Sequence, residues 1–500
     1  MEKTITFENF YQSMGLKHYP FWDRTAEKED TKKLFVKPPN YSQLVDAVSK
    51  NHTAIVSGNR GSGKTIALAD LKSSISSDRL TCSVDNFENV SLENNLLDFY
   101  SLILENLTRS VLIYLSSRKK LLKKATKDDK ILLSFLIKKY GKNITDNQLY
   151  KQLADIQLSH LQRVINKLTT PITALLNYGT TAATNFGNEL LTKQFGAYLP
   201  DISSSTIKNI FPDIQFAVED QFTSVNISYS MMDAVLSMIK RVTNQVPIVF
   251  IDKLDEDIRL ENDAEMVACF IKDLICDGKL LLNSNLQLLI SVWKIPFLSL
   301  GTVFRASKHT VFSIEWNDAQ LKLVLNNRLA VYSDNEVCDY KTLFADDVTE
   351  DDFTMLYKLS NSNPRDLWSV YDSIFNAQFA LDGKSKVITH DAVVAGLRDF
   401  VSKFQFYEYY PRKKNAQQNS NDVYSYIGYL LKLKDKEFTN QELRNMASTG
   451  GSTTNYITGM MNIGLVRKTD RKKPGGAVIY QINDPKVAYA ISMGIEIEHG

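Results

Sequence analysis

Three stretches read as buried strands: the short apolar run Thr53 to Val56, the continuous run Ile248 to Ile251, and Leu286 to Val292 (LQLLISV). Uninterrupted runs of this length fit strands of a parallel sheet buried on both faces. Residues 79–85 (RLTCSVD) read as a further strand, and one more ends at Trp316. Helical spacing separates these runs. Isoleucine, alanine and leucine follow Lys64 at that spacing, and Leu321, Leu325 and Arg328 share an amphipathic helix capped by Asn317 or Asp318. The turn Asn363-Pro364-Arg365 opens another helix, with proline in the first turn. From Leu96 onward the pattern is helical, which predicts a helical insertion over 96–205. The expected fold is an α/β core with a parallel sheet, interrupted by this insertion and followed by further helices.

The C-terminal pattern is different. Residues 412–422 (RKKNAQQNSND) are polar and linker-like. Val423 to Lys432 is a first helix, and Thr439 with Glu442 at capping-box spacing starts a second. Ser452 to Ile463 is a third, ended by Gly464. Leu465 to Lys468 and Ala477 to Ile482 then pair as strands around the turn TDRKKPGG. This order predicts a winged helix over 423–500. Arg467, Lys468, Arg471, Lys472 and Lys473 concentrate positive charge on the wing. Together with Ser452, Thr453, Thr454, Asn455 and Tyr456 they could meet double-stranded DNA. A protein-docking module with a soluble basic turn is the other reading.

Composition narrows the class. Five hundred residues suggest about three domains. Hydrophobic residues make up 44% and charged residues 23%, enough for a sizeable core. Lys+Arg 59 against Asp+Glu 57 leaves +2, so any surface for an anionic partner must be local. No apolar run reaches about 18 residues, and MEKTITFENF lacks the apolar centre of a secretory signal. The four cysteines show no CxxC spacing, which predicts a reducing, cytoplasmic setting. Cys269 and Cys276, seven apart on a helix, are expected on a shared buried face. Six histidines make a metal cluster unexpected.

The chemistry lies between the first strand and its helix. Gly58-Asn59-Arg60-Gly61-Ser62-Gly63-Lys64-Thr65 is GxxxxGK[ST] in strand–loop–helix context. Its glycines let backbone N–H groups surround phosphates, and the helix N-terminus points its dipole at the same anions. Lys64 is placed to reach the β- and γ-phosphates, and the Thr65 hydroxyl to ligate Mg²⁺. Asp252 ends the run Ile248 to Ile251, the place for a carboxylate that holds Mg²⁺ through water. Lys253 follows where many ATPases carry a glutamate that activates water. Asp255 and Glu256 are placed either to supply that base or to cap the next helix, near Asp263. Ser291, Trp293 and Lys294 end another strand, where a polar residue could sense the γ-phosphate or merely pack. Arg365 sits at a helix start, which disfavours cations. Bound phosphate or a neighbouring carboxylate would resolve that conflict.

The ordered motifs GNRGSGKT, FIDKLDE, FSIEW…NNRL and SNPRDLW resemble those of prokaryotic P-loop ATPases at the border of the AAA+ and STAND classes, with an archaeal, origin-recognition-like architecture. The lead-in Tyr19-Pro20-Phe21, RTAEKE and LFVKPP is similar to the segment that packs near adenine in that family. The resemblance spans about residues 15–375, less an insert. It implies an ATPase core over 1–95 and 206–320, a lid over 321–411 carrying Arg365 as a sensor-type arginine, and ATP with Mg²⁺ as cofactors. It further implies a slowly hydrolysing switch or assembly factor, acting as a homo-oligomer or with a separate effector, often in DNA-related or phage-defence systems. A DNA-binding loader and a structural adaptor with a non-catalytic ATP site are the rival expectations. Lys253 and Trp293-Lys294 depart from the family pattern and imply slow turnover. NKxD, LSGGQ, HExxH and GxSxG are absent, which excludes guanine-reading, ABC-type, zincin and serine-hydrolase chemistry.

Overall fold

The computed structural model describes residues 5–22, 31–76, 78–116, 118–126, 129, 132–133, 225–410 and 422–498. Most of the expected insertion, including the basic stretch beyond Thr126 and the small-residue segment 171–187, lies outside these. The chain opens with α1 (Phe7–Ser13), α2 (Thr31–Leu34) and α3 (Tyr41–Ser49). Next come β1 (Ala54–Gly58), α4 (Lys64–Ile75), β2 (Thr81–Val84) and α5 (Leu96–Ser116). The second half of the core holds α6 (Val225–Thr243), β3 (Ile248–Ile251), α7 (Ala264–Cys276), β4 (Gln287–Trp293) and β5 (Thr310–Ser313).

These five strands form one parallel sheet in the order β2-β3-β4-β1-β5. Side chains alternate between two cores, as the period of a strand requires. Ala54, Val56, Ile248, Phe250 and Leu289 face α3 and α4. Ile55, Val249, Ile251, Leu288 and Ile290 face α5, α6 and α7. Burial on both faces explains the unbroken apolar runs. β4 lies between β1 and β3, with Ile55 beside Ile290 and Ile251 beside Ile290 on its other edge. The strand expected to end at Trp316 stops at Ser313. Trp316 instead turns inward to bond the phosphate loop.

The lid comprises α8 (Asp318–Tyr332), α9 (Glu350–Leu359), α10 (Pro364–Asp382) and α11 (His390–Ser402). Asn317 and Gln320 form the capping box of α8. The C-terminal unit runs α12 (Val423–Leu430), β6 (Glu437–Thr439), α13 (Asn440–Ala447), α14 (Thr453–Asn462), β7 (Val466–Lys472), β8 (Val478–Ile482) and α15 (Pro485–Met493). Its antiparallel sheet has the order β6-β8-β7. This is the element order of a winged helix, and Thr439 with Glu442 forms the expected capping box.

Two expectations change. Cys269 and Cys276 do share a face of α7, but it is the exposed one. The buried stripe of that helix is Val267, Phe270, Ile271 and Leu274, and a seven-residue spacing identifies a common face without saying which. The polar linker does not insulate the C-terminal unit. One hydrophobic cluster runs from the lid through Ile427, Ile457 and Ile495. The Tyr410 hydroxyl donates to Asp484 at 2.8 Å across the junction. Among the described residues, no helix is long and apolar enough to cross a membrane.

Candidate functional site

The loop between β1 and α4 is shaped by two glycines in the left-handed region, Gly61 (φ +79°) and Gly63 (φ +91°). A Cβ on Gly61 would fall 2.5 Å from Arg365 Cβ and 2.7 Å from Asn363 Oδ1. Loop and lid therefore meet at a distance only glycine permits. Trp316 Nε1 donates to the Ser62 carbonyl at 2.8 Å and holds the crest of the loop. Lys64 is buried, and its Nζ donates to the carbonyls of Gly58 and Asn59 at 3.1 Å each. Burial pushes the Lys64 ammonium below its usual range; Asp255 and Asp252 oppose that shift, while Arg365 and Arg60 add to it. Two carboxylates and two guanidiniums thus act on one lysine.

A single cleft is lined by Gly61, Gly63, Lys64, Thr65, Asp252, Lys253, Asp255, Glu256 and Arg365. Leu34, Phe35, Val36, Ile66, Val324 and Trp368 line it too. Charged, donor-rich side chains and apolar ones thus share the lining. The sequence brought the lead-in LFVKPP to this cleft by resemblance alone. Trp316, Val324 and Trp368 were not foreseen, because nothing local marks a core aromatic as a cleft wall. Arg328, expected only on an amphipathic helix, is buried and donates to the Pro20 carbonyl. Its guanidinium stacks 4.7 Å from the Trp368 ring, tying the lead-in to the lid.

The acidic strand end differs from expectation in one respect. Asp255 neither caps a helix nor stands open as a base. Arg60 Nε donates to its Oδ2 at 2.7 Å and Arg60 Nη2 to its carbonyl at 2.9 Å. The helix caps are other residues, Asp257 for a short 3₁₀ turn and Asp263 for α7. Glu256 is exposed at the cleft. Lys253 adopts φ +63°, a conformation uncommon for a side-chain-bearing residue. Trp293, at the end of β4, is buried with the Arg60 guanidinium 4.1 Å over its ring. Lys294 pairs with Glu315 at 2.6 Å, and Ser291 is buried in the sheet. These three strand-end candidates for phosphate sensing do not line the cleft.

At the lid, Asn363 caps α10 by accepting from the Arg365 backbone N–H at 3.0 Å. Its Nδ2 donates to the Arg60 carbonyl at 2.6 Å and to the Tyr409 hydroxyl. Arg365 lines the cleft, with Glu408 3.8 Å from its Nη1. The conflict with the helix dipole is thus met in part by a carboxylate, at a separation too long for a tight pair.

The residues fit a triphosphate and Mg²⁺. The loop turns on two left-handed glycines, Gly61 and Gly63, and among the described residues the buried Ser62 hydroxyl has no hydrogen-bond partner. Thr65 and Asp252 supply the oxygen donors Mg²⁺ prefers. Among the described residues, no group of three His, Cys, Asp or Glu could hold a metal by itself. An ion here would need phosphate and water to complete its shell.

In the C-terminal unit, Ser452, Thr454, Asn455 and Thr458 are exposed along α14. Thr453 is not available to a groove: it is buried, and its hydroxyl donates to the Gly450 carbonyl at 2.8 Å. Tyr456 stacks on Tyr429. Of the wing cations, Arg471 pairs with Glu437 and Lys473 with Glu442. Arg467 donates to Gln481. Among the described residues, Lys468 and Lys472 carry no ion pair.

The strand order, the GxxxxGK[ST] loop at the end of β1 and the acidic end of β3 make this a P-loop NTPase fold with helical additions. No protein-family model matches the chain, and no curated protein matches it. Among solved structures, the crystal structure of Cdc6p from Pyrobaculum aerophilum aligns over 94% of this chain and 99% of its own. Identity is 9% and the TM-score 0.32, a likeness too low to bear on function.

Proposed function

We propose that the protein binds ATP with Mg²⁺ in this cleft and hydrolyses it slowly, as a nucleotide-controlled switch. The observation that carries the reading is the convergence of Lys64, Thr65, Asp252 and Arg365 on one cleft whose lining also includes Phe35, Val36 and Trp368. Lys64 and the backbone N–H groups of the loop hold the phosphates, Thr65 and Asp252 hold the metal, and Arg365 receives the terminal phosphate. Phe35 and Val36 in the lining suit a base. When bound, Mg²⁺ neutralises charge on the phosphate oxygens. Glu256, exposed at the cleft, is better placed than Asp255 to orient water. Calorimetric titration with ATP·Mg²⁺, alongside GTP, tests the reading; equal or absent binding of both removes it.

A second reading, a DNA-binding loader or regulator, draws on the exposed polar face of α14 and on Lys468 and Lys472 beside it. Phosphate contacts from those lysines would give sequence-independent, salt-sensitive grip. Duplex binding at several salt concentrations separates it from a switch that acts on a protein partner.

A further inference from the structure

A buried polar chain leaves the phosphate loop and ends inside the C-terminal unit. It begins at the Arg60 carbonyl, which accepts from Asn363 Nδ2 at 2.6 Å. Asn363 Nδ2 also donates to the Tyr409 hydroxyl, which in turn donates to Asp366 Oδ2 at 2.9 Å. Lys486 Nζ, from α15, lies 3.1 Å from the same oxygen. Exposure is 2% at Asn363, 7% at Tyr409, 6% at Asp366 and none at Lys486. The lysine ammonium also sits 4.1 Å over the Phe404 ring. Asp484, at the N-cap of the same helix, accepts from Tyr410. Tyr410 thus bonds the cap of α15 directly, whereas Tyr409 bonds Asp366 of α10, which meets Lys486 of α15.

A buried ion pair is commonly no more stabilising than well-packed apolar side chains of the same volume. Stability alone does not explain placing a lysine and an aspartate here. At its loop end the chain adjoins a loose ion pair. Arg365 lies in the cleft, with Glu408 at 3.8 Å. Glu408 belongs to the 3₁₀ turn Phe406–Glu408, which immediately precedes Tyr409. A phosphate that draws Arg365 away from Glu408 changes the contacts of the turn that presents Tyr409. Differential contact of this kind is what lets a ligand shift a distant equilibrium.

We propose that Asn363, Tyr409, Asp366 and Lys486 form a relay through which nucleotide in the cleft sets the packing of the C-terminal unit on the lid. The proposal rests on the ATP-binding reading. Its members are positioning residues, because none of them reaches the cleft's phosphate end except through Arg60 and Arg365.

The test is hydrogen exchange of the full chain with and without ATP·Mg²⁺, following peptides over 405–410 and 485–493. In the unmodified protein, ATP should change exchange over 485–493 by about fivefold or more. Tyr409→Phe keeps the ring and loses the hydroxyl; it should reduce that change to less than about twofold, with ATP affinity within about tenfold of the parent. A second variant, Asp366→Asn with Lys486→Met, removes both charges together and so leaves neither buried alone. It should uncouple 485–493 in the same way, and it decides the matter if Tyr409→Phe does not fold. An undiminished ATP response over 485–493 in the folded variants overturns the relay. ATP binding without any response over 485–493 in the parent also overturns it, while sparing the ATP reading. Failure of the parent to bind ATP removes both.

Discussion

Arg60 and Asp255 lock the phosphate loop to the acidic strand end. The guanidinium donates to the carboxylate and to the same residue's carbonyl, and it lies flat over Trp293. Both side chains are about nine-tenths buried. Arg60→Ala leaves Asp255 buried and unpaired, and should cost about 3–5 kcal/mol of stability. Arg60→Met with Asp255→Leu should recover much of that loss. Urea melts of the single and double variants check the order of midpoints.

The same lock decides which carboxylate serves turnover. Glu256→Gln should leave ATP bound and unhydrolysed, and Asp252→Ala should abolish Mg²⁺-dependent turnover. Asp255→Asn should instead loosen the loop and weaken ATP binding. Phosphate release and ATP affinity, measured together, separate the three. Full turnover in Glu256→Gln would remove that residue from the mechanism.

Lys64→Ala should weaken ATP binding by about ten- to hundred-fold, the value of about 1.5–3 kcal/mol for one charge-assisted contact. Burial holds the Lys64 ammonium below its usual range, and phosphate charge favours the protonated form. Binding should therefore take up protons at pH values between the lowered and the restored pKa. Calorimetric heats in buffers of different ionisation enthalpy report that uptake, and Lys64→Ala should abolish it.

Duplex binding should depend on Lys468 and Lys472 more than on their neighbours. Each lysine that neutralises a phosphate contributes about 0.9 to the slope of log K against log[salt]. Lys468→Ser with Lys472→Ser should flatten the slope by about two units. Arg471→Ser with Lys473→Ser should change it less, because those cations already pair with Glu437 and Glu442. A slope that neither pair alters makes the wing a protein-docking surface.

Cys82 should resist alkylation in the folded protein, while Cys269, Cys276 and Cys338, all exposed, react. Burial pushes the Cys82 thiol up to about 12. A raised acid contributes stability fully below the unfolded value of about 8.5, and loses it as pH rises through the folded one. Stability should therefore fall from about pH 9 toward 12, and Cys82→Ala should lessen that fall. Mass spectrometry after alkylation and alkaline melts of the variant are the checks.

Much of the core was legible because its signals are local. The runs at 54–58, 248–251 and 287–293 needed only burial on two faces, and the phosphate loop needed only its octet and flanks. The helix starts near Asn317, Pro364 and Thr439 were equally readable from local patterns. What sequence could not carry was contact across distance. Arg60 reads as a variable loop residue until Asp255 is folded against it. Thr453 reads like its polar neighbours until the helix is docked. Lys486, in PKVAYAI, resembles any lysine in a first helical turn; only the arrival of Asp366 and Tyr409 makes it a core residue.

The position of β1 inside the sheet, between β4 and β5, has a consequence for how the chain is made. Both of its neighbours, β4 and β5, lie beyond residue 286. A ribosome that has released only the first half of the protein exposes the phosphate loop on a strand with no edge to pair. Pairings of such long sequence separation form slowly and leave apolar strands uncovered meanwhile. The nucleotide cleft can therefore close only late in synthesis. The emerging amino-terminal half should be the part of this protein that most needs a chaperone.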